Sequence, residues 1–430
     1  MKSNTALFAA LALTFGGSIA MADSAQRSEP AAVPDKHQGP QTVRNQPRAK
    51  HVRPGAGTGL QQAPTPQGQA AGATPLMWAA DRGDLALMKT MLAEGADPNT
   101  PDANGATALA LAAGNGSTEA MSLLIENGAT VDATDNWGGT PLIYAVKGSQ
   151  PAAARLLIER GANINRALNK NLMTPLIMAA FRGDDQMVEL LLDKGANIEQ
   201  TNSGGVTALM TAIDKRHPET AKLLISRGAD INAVSRSGTT PLRYAVMAND
   251  AGLIRLLVEK GAAVDQVDRL GLTPVIHASA AGKVDALSAL IDAGADISRR
   301  GGPNQATALM AAAGAGKTAA VDVLLEHGAE IDARDEKHGS TALIWAAGRE
   351  HADIVKILLA RGANPDISDK AGRTAMMIAV DRGNEMIVKM LLAAKADPGL
   401  KDQAGKTARD RALGKGQDAI VQLLDSPSPP

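Results

Sequence analysis

The 430-residue chain has no cysteine, which excludes disulfides, thiolate metal sites and lipid attachment to an N-terminal cysteine. Aromatic residues are nearly as scarce. They make up 2% of the chain against 44% hydrophobic residues in all, so any core must be built in thin layers from Ala, Leu, Ile, Val and Met, as in repeat proteins rather than large α/β enzymes. An excess of charge of either sign is also missing. With 44 Lys and Arg against 45 Asp and Glu, no surplus of cations is present to displace counterions along a phosphate backbone, so no nucleic-acid partner is expected. Long apolar runs are lacking too. The uncharged stretch from Ala6 to Ile19 is shorter than the ~20 residues of a spanning helix and is weakened by Gly16, Gly17 and Ser18, so no membrane span is expected.

That stretch, with Lys2 before it and Ala20-Met21-Ala22 after it, reads as a Sec-type signal peptide over residues 1–22, cleaved after Ala22. The expected location is therefore periplasmic or secreted. Residues 23–71 carry seven prolines between Pro30 and Pro66 among Gln, Gly, Arg and Ala, and they lack a buriable apolar period. They read as a disordered leader. Arg27, Lys36, Arg44, Arg48, Lys50 and Arg53 outnumber Asp23, Glu29 and Asp35 there, which suits weak contact with an anionic envelope surface and equally a solvated linker, the reading that charge runs more often have. Residues 426–430 form a Pro-rich tail.

The intervening residues 72–425 are periodic. A Thr-(Pro/Ala)-apolar tripeptide starts at Thr74, Thr107, Thr140, Thr174, Thr207, Thr240, Thr273, Thr307, Thr341 and Thr374, with a degenerate copy at Thr407, in steps of 33 or 34. A Gly-Ala pair recurs in the same phase from Gly95-Ala96 to Gly362-Ala363. The fourth unit shows what one period encodes. Thr174 caps a helix that Pro175 enters without losing a hydrogen bond, and Gly183 ends it in a left-handed conformation. Asp184 then caps a second helix, in which Met187, Val188, Leu191 and Leu192 form an apolar stripe. Gly195 closes that helix, and an extended turn leads to the next Thr. Two short helices cannot bury their own stripe, so neighbouring units must stack into one continuous core, with Ala pairs such as Ala179-Ala180 allowing close approach.

The pattern resembles the ankyrin repeat family. Asp135-Asn136-Trp137-Gly138-Gly139-Thr140-Pro141-Leu142 and Gly228-Ala229-Asp230-Ile231-Asn232 follow its unit almost position by position. The resemblance implies an all-α repeat solenoid of about eleven helix-turn-helix units with protruding β-hairpin-like turns, and a protein partner. One departure matters. Where the family places a turn-linking His, three residues after the Thr, this chain has Met77, Ala110, Ile143, Ile177, Met210, Arg243, Ile276, Met310, Ile344 and Met377, so packing is expected to replace that hydrogen bond. The last unit, with Arg409, Asp410 and Arg411, reads as a water-facing terminal cap.

At about 100° per residue, positions +2, +5 and +6 from the Thr form the core face of the first helix, and +4, +7 and +8 the opposite face, expected to line a concave groove. That groove would carry Trp78, Tyr144, Tyr244 and Trp345 at +4, Phe181 at +7, and Arg82, Arg182, Lys215, Arg349 and Arg382 at +8, with Trp137 at a turn tip. Aromatic and Arg side chains together favour an interface. The +4 aromatics fit packing between neighbouring repeats equally well, whereas Trp137 and Phe181 favour binding.

Catalytic chemistry finds little support. Gly314-Ala315-Gly316-Lys317-Thr318 resembles the end of a P-loop, but Ala311 stands where its first glycine belongs, and a helix, not a strand, precedes it. His338 beside Asp335 and Glu336 is better explained as a polar turn than as a metal site. The sequence thus points to a non-enzymatic, cofactor-free binding scaffold in the bacterial cell envelope that recognises a protein through groove and turn tips. An enzyme, or a factor protecting one during envelope stress or turnover, is the alternative.

Overall fold

A computed structural model describes residues 72–425. The expected signal peptide, leader and tail lie outside the described residues. Between Pro75–Arg82 and Asp418–Asp425 the chain forms twenty-two short helices and, among the described residues, no strand beyond one isolated bridge between Gly301 and Ala306. All eleven repeat threonines start a first helix, each accepting with its hydroxyl the backbone N–H three residues on. Local sequence therefore fixes where each unit begins. The fourth unit follows its expected outline: a first helix Pro175–Arg182, Gly183 left-handed at φ 69°, Asp184 accepting from Met187 N–H, and a second helix Asp185–Asp193. Its stripe differs in one detail, since Leu190 is buried with Met187, Val188 and Leu191 while Leu192 is only half-buried.

First helices pack on first helices and second helices on second helices along the array. Ala79-Ala80, Ala112-Ala113, Ala179-Ala180, Ala312-Ala313 and Ala346-Ala347 are all buried, so methyl-sized contacts let the backbones approach while Leu, Ile and Met supply most of the apolar area. Full burial of one such large side chain is worth about 1.5–3 kcal/mol. Because each unit shares its stripe with the next, the spine is continuous and no unit closes on itself.

The turns are held differently from expectation. In most of them the side chain of a polar residue five or six positions before the Thr closes a tight loop, whereas the turns before Thr174 and Thr307 close through backbone bonds, Leu168 N–H to Met173 O and the Gly301–Ala306 bridge. Asp135, for example, accepts Trp137 N–H at 2.9 Å and Gly139 N–H at 2.6 Å, while Gly138 takes φ 84°. Backbone hydrogen bonds then join one turn to the next: Asn136 N–H to Asn104 O and Asn169 N–H to Trp137 O at 2.9 Å, through Lys370 N–H to His338 O at 2.7 Å and Gln403 N–H to Ala371 O at 3.0 Å. So packing is not the sole replacement for the missing family His, because main-chain bonds between neighbouring tips do part of the same task. Among the described residues, the turns before Thr240 and Thr273 are the successive pair without such a bond. There the side chain of Arg243 spans the gap, from Thr239 Oγ1 to Asp268 Oδ2, each at 3.3 Å.

Candidate functional site

The face formed by positions +4, +7 and +8 of the first helices divides sharply by position. At +4 the side chains are mostly taken up by the fold. Tyr244 and Trp345 are 9% and 7% exposed, so the expectation that they could meet a partner is corrected: they pack between units. Trp345 lies across Gly314 of the preceding unit, where an added Cβ would meet its ring at 2.5 Å, and its indole N–H donates to Asp335 Oδ2 at 3.1 Å. Tyr144 is half-buried over Gly114 and donates its phenol O–H to Asp135 Oδ2 at 2.9 Å. Burial first, and that carboxylate second, push the Tyr144 phenol well above its ordinary pKa.

These contacts define a staple from +4 to the Asp at the base of the same unit's turn. His277 makes it with Asp268, Nε2 to Oδ2 at 2.8 Å, and Arg411 makes it with Asp402. Since a carboxylate only accepts, Nε2 of His277 carries the proton. Burial keeps that imidazole below its ordinary pKa, against the pull of Asp268 and with the help of Arg243. Burial opposes ionisation of Asp268 as well, but His277 and the N–H groups of Leu272 and Leu270 outweigh it and bring the carboxyl to about 2. Arg411 also corrects the picture of a wholly water-facing last helix: its side chain is 18% exposed and bonds Asp381 at 2.8 Å besides Asp402. The sequence held this signal. Tyr144, His277, Trp345 and Arg411 all have a donor at +4 and an Asp five or six residues before the Thr, whereas Tyr244 has Ser235 there.

Positions +7 and +8 are more open. Phe181 is 45% and Trp137 55% exposed. Arg182, Lys215 and Arg382 are exposed, and Arg349 is half-buried. Burial lowers the Arg349 pKa, and the like charge of Arg382 adds to the effect. On this face three consecutive units each carry a cation with a defined partner. Lys215 Nζ sits 5.0 Å from the Phe181 ring centre, Lys147 Nζ 5.4 Å from that of Tyr144, and Arg182 Nη2 donates to Ser149 Oγ at 3.3 Å. Lys147 and Met247 (43% exposed) were not among the expected site residues, although both occupy position +7, as Phe181 does. Leu172, Val234, Val267 and Leu270 add exposed apolar surface on the neighbouring turns.

Elsewhere the chemistry is structural. Gly314 ends the helix Ala308–Gly314 and Lys317 immediately precedes the helix Thr318–Glu326, so the P-loop-like stretch is an ordinary link between helices. Among the described residues no group of three or more His, Asp or Glu is placed to hold a metal ion, and no helix is long and apolar enough to cross a membrane.

Comparison with known proteins agrees with this architecture. The family described as ankyrin repeats (3 copies) matches residues 76–168, 165–235, 232–301, 299–369 and 350–427. Among solved structures, the chain is similar to the ankyrin repeat domain of Bcl-3, described as a unique member of the IkappaB protein family, at 30% identity and a TM-score of 0.47, over 51% of this chain and 100% of that one. No curated protein sequence matches. Ankyrin repeats are generally protein–protein interaction scaffolds and typically non-catalytic. With five overlapping matches running from residue 76 to 427, the chain belongs to the ankyrin repeat family.

Proposed function

We propose that this chain is a protein-binding scaffold of the bacterial cell envelope that holds its partner on the tips and first helices of the third to seventh units. The observation that carries this reading is the concentration of exposed large apolar side chains: of the ten among the described residues, Trp137, Leu172, Phe181, Val234, Met247, Val267 and Leu270 lie on turn tips or at position +7 there, against Leu87, Met386 and Leu413 elsewhere. Contiguous apolar surface on a soluble domain marks an interaction site, and exposed Trp and Phe are common anchors of binding energy. The location rests on the N-terminal sequence, where Lys2, the apolar run and Ala20-Met21-Ala22 support export; N-terminal sequencing of protein from the envelope fraction should find Asp23 first.

Affinity capture from that fraction, with mass spectrometry, tests the surface. Changing Trp137 and Phe181 together to Ala should abolish capture of the principal partner and leave the helical circular dichroism unchanged. Undiminished capture would refute the surface assignment.

A further inference from the structure

We infer that the partner presents an acidic segment bearing apolar side chains, and that Lys147, Arg182 and Lys215 select it around Phe181. This rests on the binding surface proposed above and names the chemistry it prefers. Over positions +7 and +8 of the third, fourth and fifth units, three cations (Lys147, Arg182 and Lys215) face one carboxylate, Asp214, which Lys215 pairs with at 3.0 Å. Asp184 lines the same recess as Arg182 and adds a second carboxylate, one oxygen of which accepts the N–H of Met187, so the cations outnumber the carboxylates three to two.

The way these cations are held favours a carboxylate ligand. Lys147 and Lys215 sit over the faces of Tyr144 and Phe181, and Arg182 is oriented by a neutral hydroxyl. Ring faces and hydroxyls position a cation without neutralising it, so Lys147 and Arg182 still have charge to offer, while Lys215 shares its own with Asp214. The Phe181 ring, 45% exposed beneath Lys215, offers an apolar anchor beside the charge, and Met247 offers a second one two units farther on. Packed helices lie about 8–10 Å apart, so the row from Lys147 to Met247 spans roughly 25–30 Å, long enough for a segment of about eight extended residues. A polyphosphate backbone would satisfy the cations but leave Phe181, Met247 and the tip residue Trp137 without apolar partners.

The test compares two fluorescein-labelled synthetic peptides of equal length that carry the same Phe and Leu residues, one with Glu and the other with Gln between them. Binding to the full chain is read by fluorescence anisotropy. The Glu peptide should bind roughly tenfold more tightly at low salt, as a few exposed ion pairs allow, and the advantage should fade as salt approaches about 0.5 M. Changing Lys147 and Lys215 together to Ala should bring the two affinities within about twofold of each other. Phe181→Ala should weaken both.

Equal binding of the two peptides, binding of neither, or an advantage for Glu that survives the double lysine change would overturn the inference. Tighter binding of an oligodeoxythymidylate of matched charge would overturn it as well. Partner capture that is lost in the Trp137 and Phe181 variant but intact in the double lysine variant would refute the acidic preference alone and leave the binding surface standing.

Discussion

Between Trp137 and Leu270 the array exposes seven large apolar side chains, whereas from Gly271 to Asp425 it exposes only Met386 and Leu413. The two stretches share one repeat and one backbone plan. What separates them on the groove face is how position +7 of one unit meets position +4 of the next. Gly314 leaves room that Trp345 fills, and Asp335 takes up the indole N–H, so a large aromatic disappears into the fold. Gly114 and Tyr144, with Asp135, repeat the arrangement. Phe181 reverses the register: the large residue stands at +7, and the next unit's +4 is Thr211, whose hydroxyl donates to Thr207 O at 2.8 Å. Phe181 therefore remains exposed. Aromatic content alone says nothing about binding in such an array; the position within the repeat and the size of its neighbour decide.

The sharpest break of this contrast is Trp345→Ala. Removing a buried indole together with its hydrogen bond should destabilise the protein by about 3–5 kcal/mol in urea unfolding, and a change under about 1 kcal/mol would show that the ring does not pack as described. Asp268→Asn comes next. At neutral pH it should remove roughly 2 kcal/mol, because a carboxyl held near 2 instead of its ordinary 3.8 stabilises the folded state by about that much. That stabilisation is complete above the unfolded pKa and is lost as pH falls from about 4 to about 2, so wild type and Asp268→Asn should converge over that window in a series of urea titrations. His277 acts in the same direction at higher pH. Its folded pKa lies below its unfolded one, so the unfolded chain takes up the proton first and stability declines as pH drops below about 6.5; His277→Gln should flatten that upper part of the profile.

Smaller still is Tyr144→Phe, which deletes one hydrogen bond to a carboxylate and should cost about 1.5 kcal/mol while leaving the aromatic packing in place. Smallest is Phe181→Ala, which should move the unfolding midpoint by no more than about 0.5 kcal/mol yet weaken partner binding. A large loss of stability there would mean that Phe181 belongs to the core and would erase the distinction between the two stretches.

The repeat itself was legible in the chain because its signals are local. Thr hydroxyls, Pro at the first helical position and glycines at left-handed sites act within a few residues, and their recurrence every 33 or 34 positions fixes unit length and phase. Two-helix units with a shared stripe then leave stacking as the way to bury it. A wheel of one helix also places +4 on the face opposite the core, but it cannot tell that Tyr244 and Trp345 are covered, since the covering atoms belong to other units and to the turn. Arg411 shows the same limit. Its charge suggested a solvent-facing cap, whereas Asp381 and Asp402, nine to thirty residues away, draw it inward.

Sequence by itself thus determined the all-helical repeat, its phase, the position of every turn and the candidate face, because these follow from short-range capping and from apolar periodicity. Only the tertiary structure decided which side chains on that face are covered and which are left open, because that depends on atoms of the neighbouring unit brought in by stacking, at separations of one repeat, where the size of the neighbour rather than residue type sets the outcome.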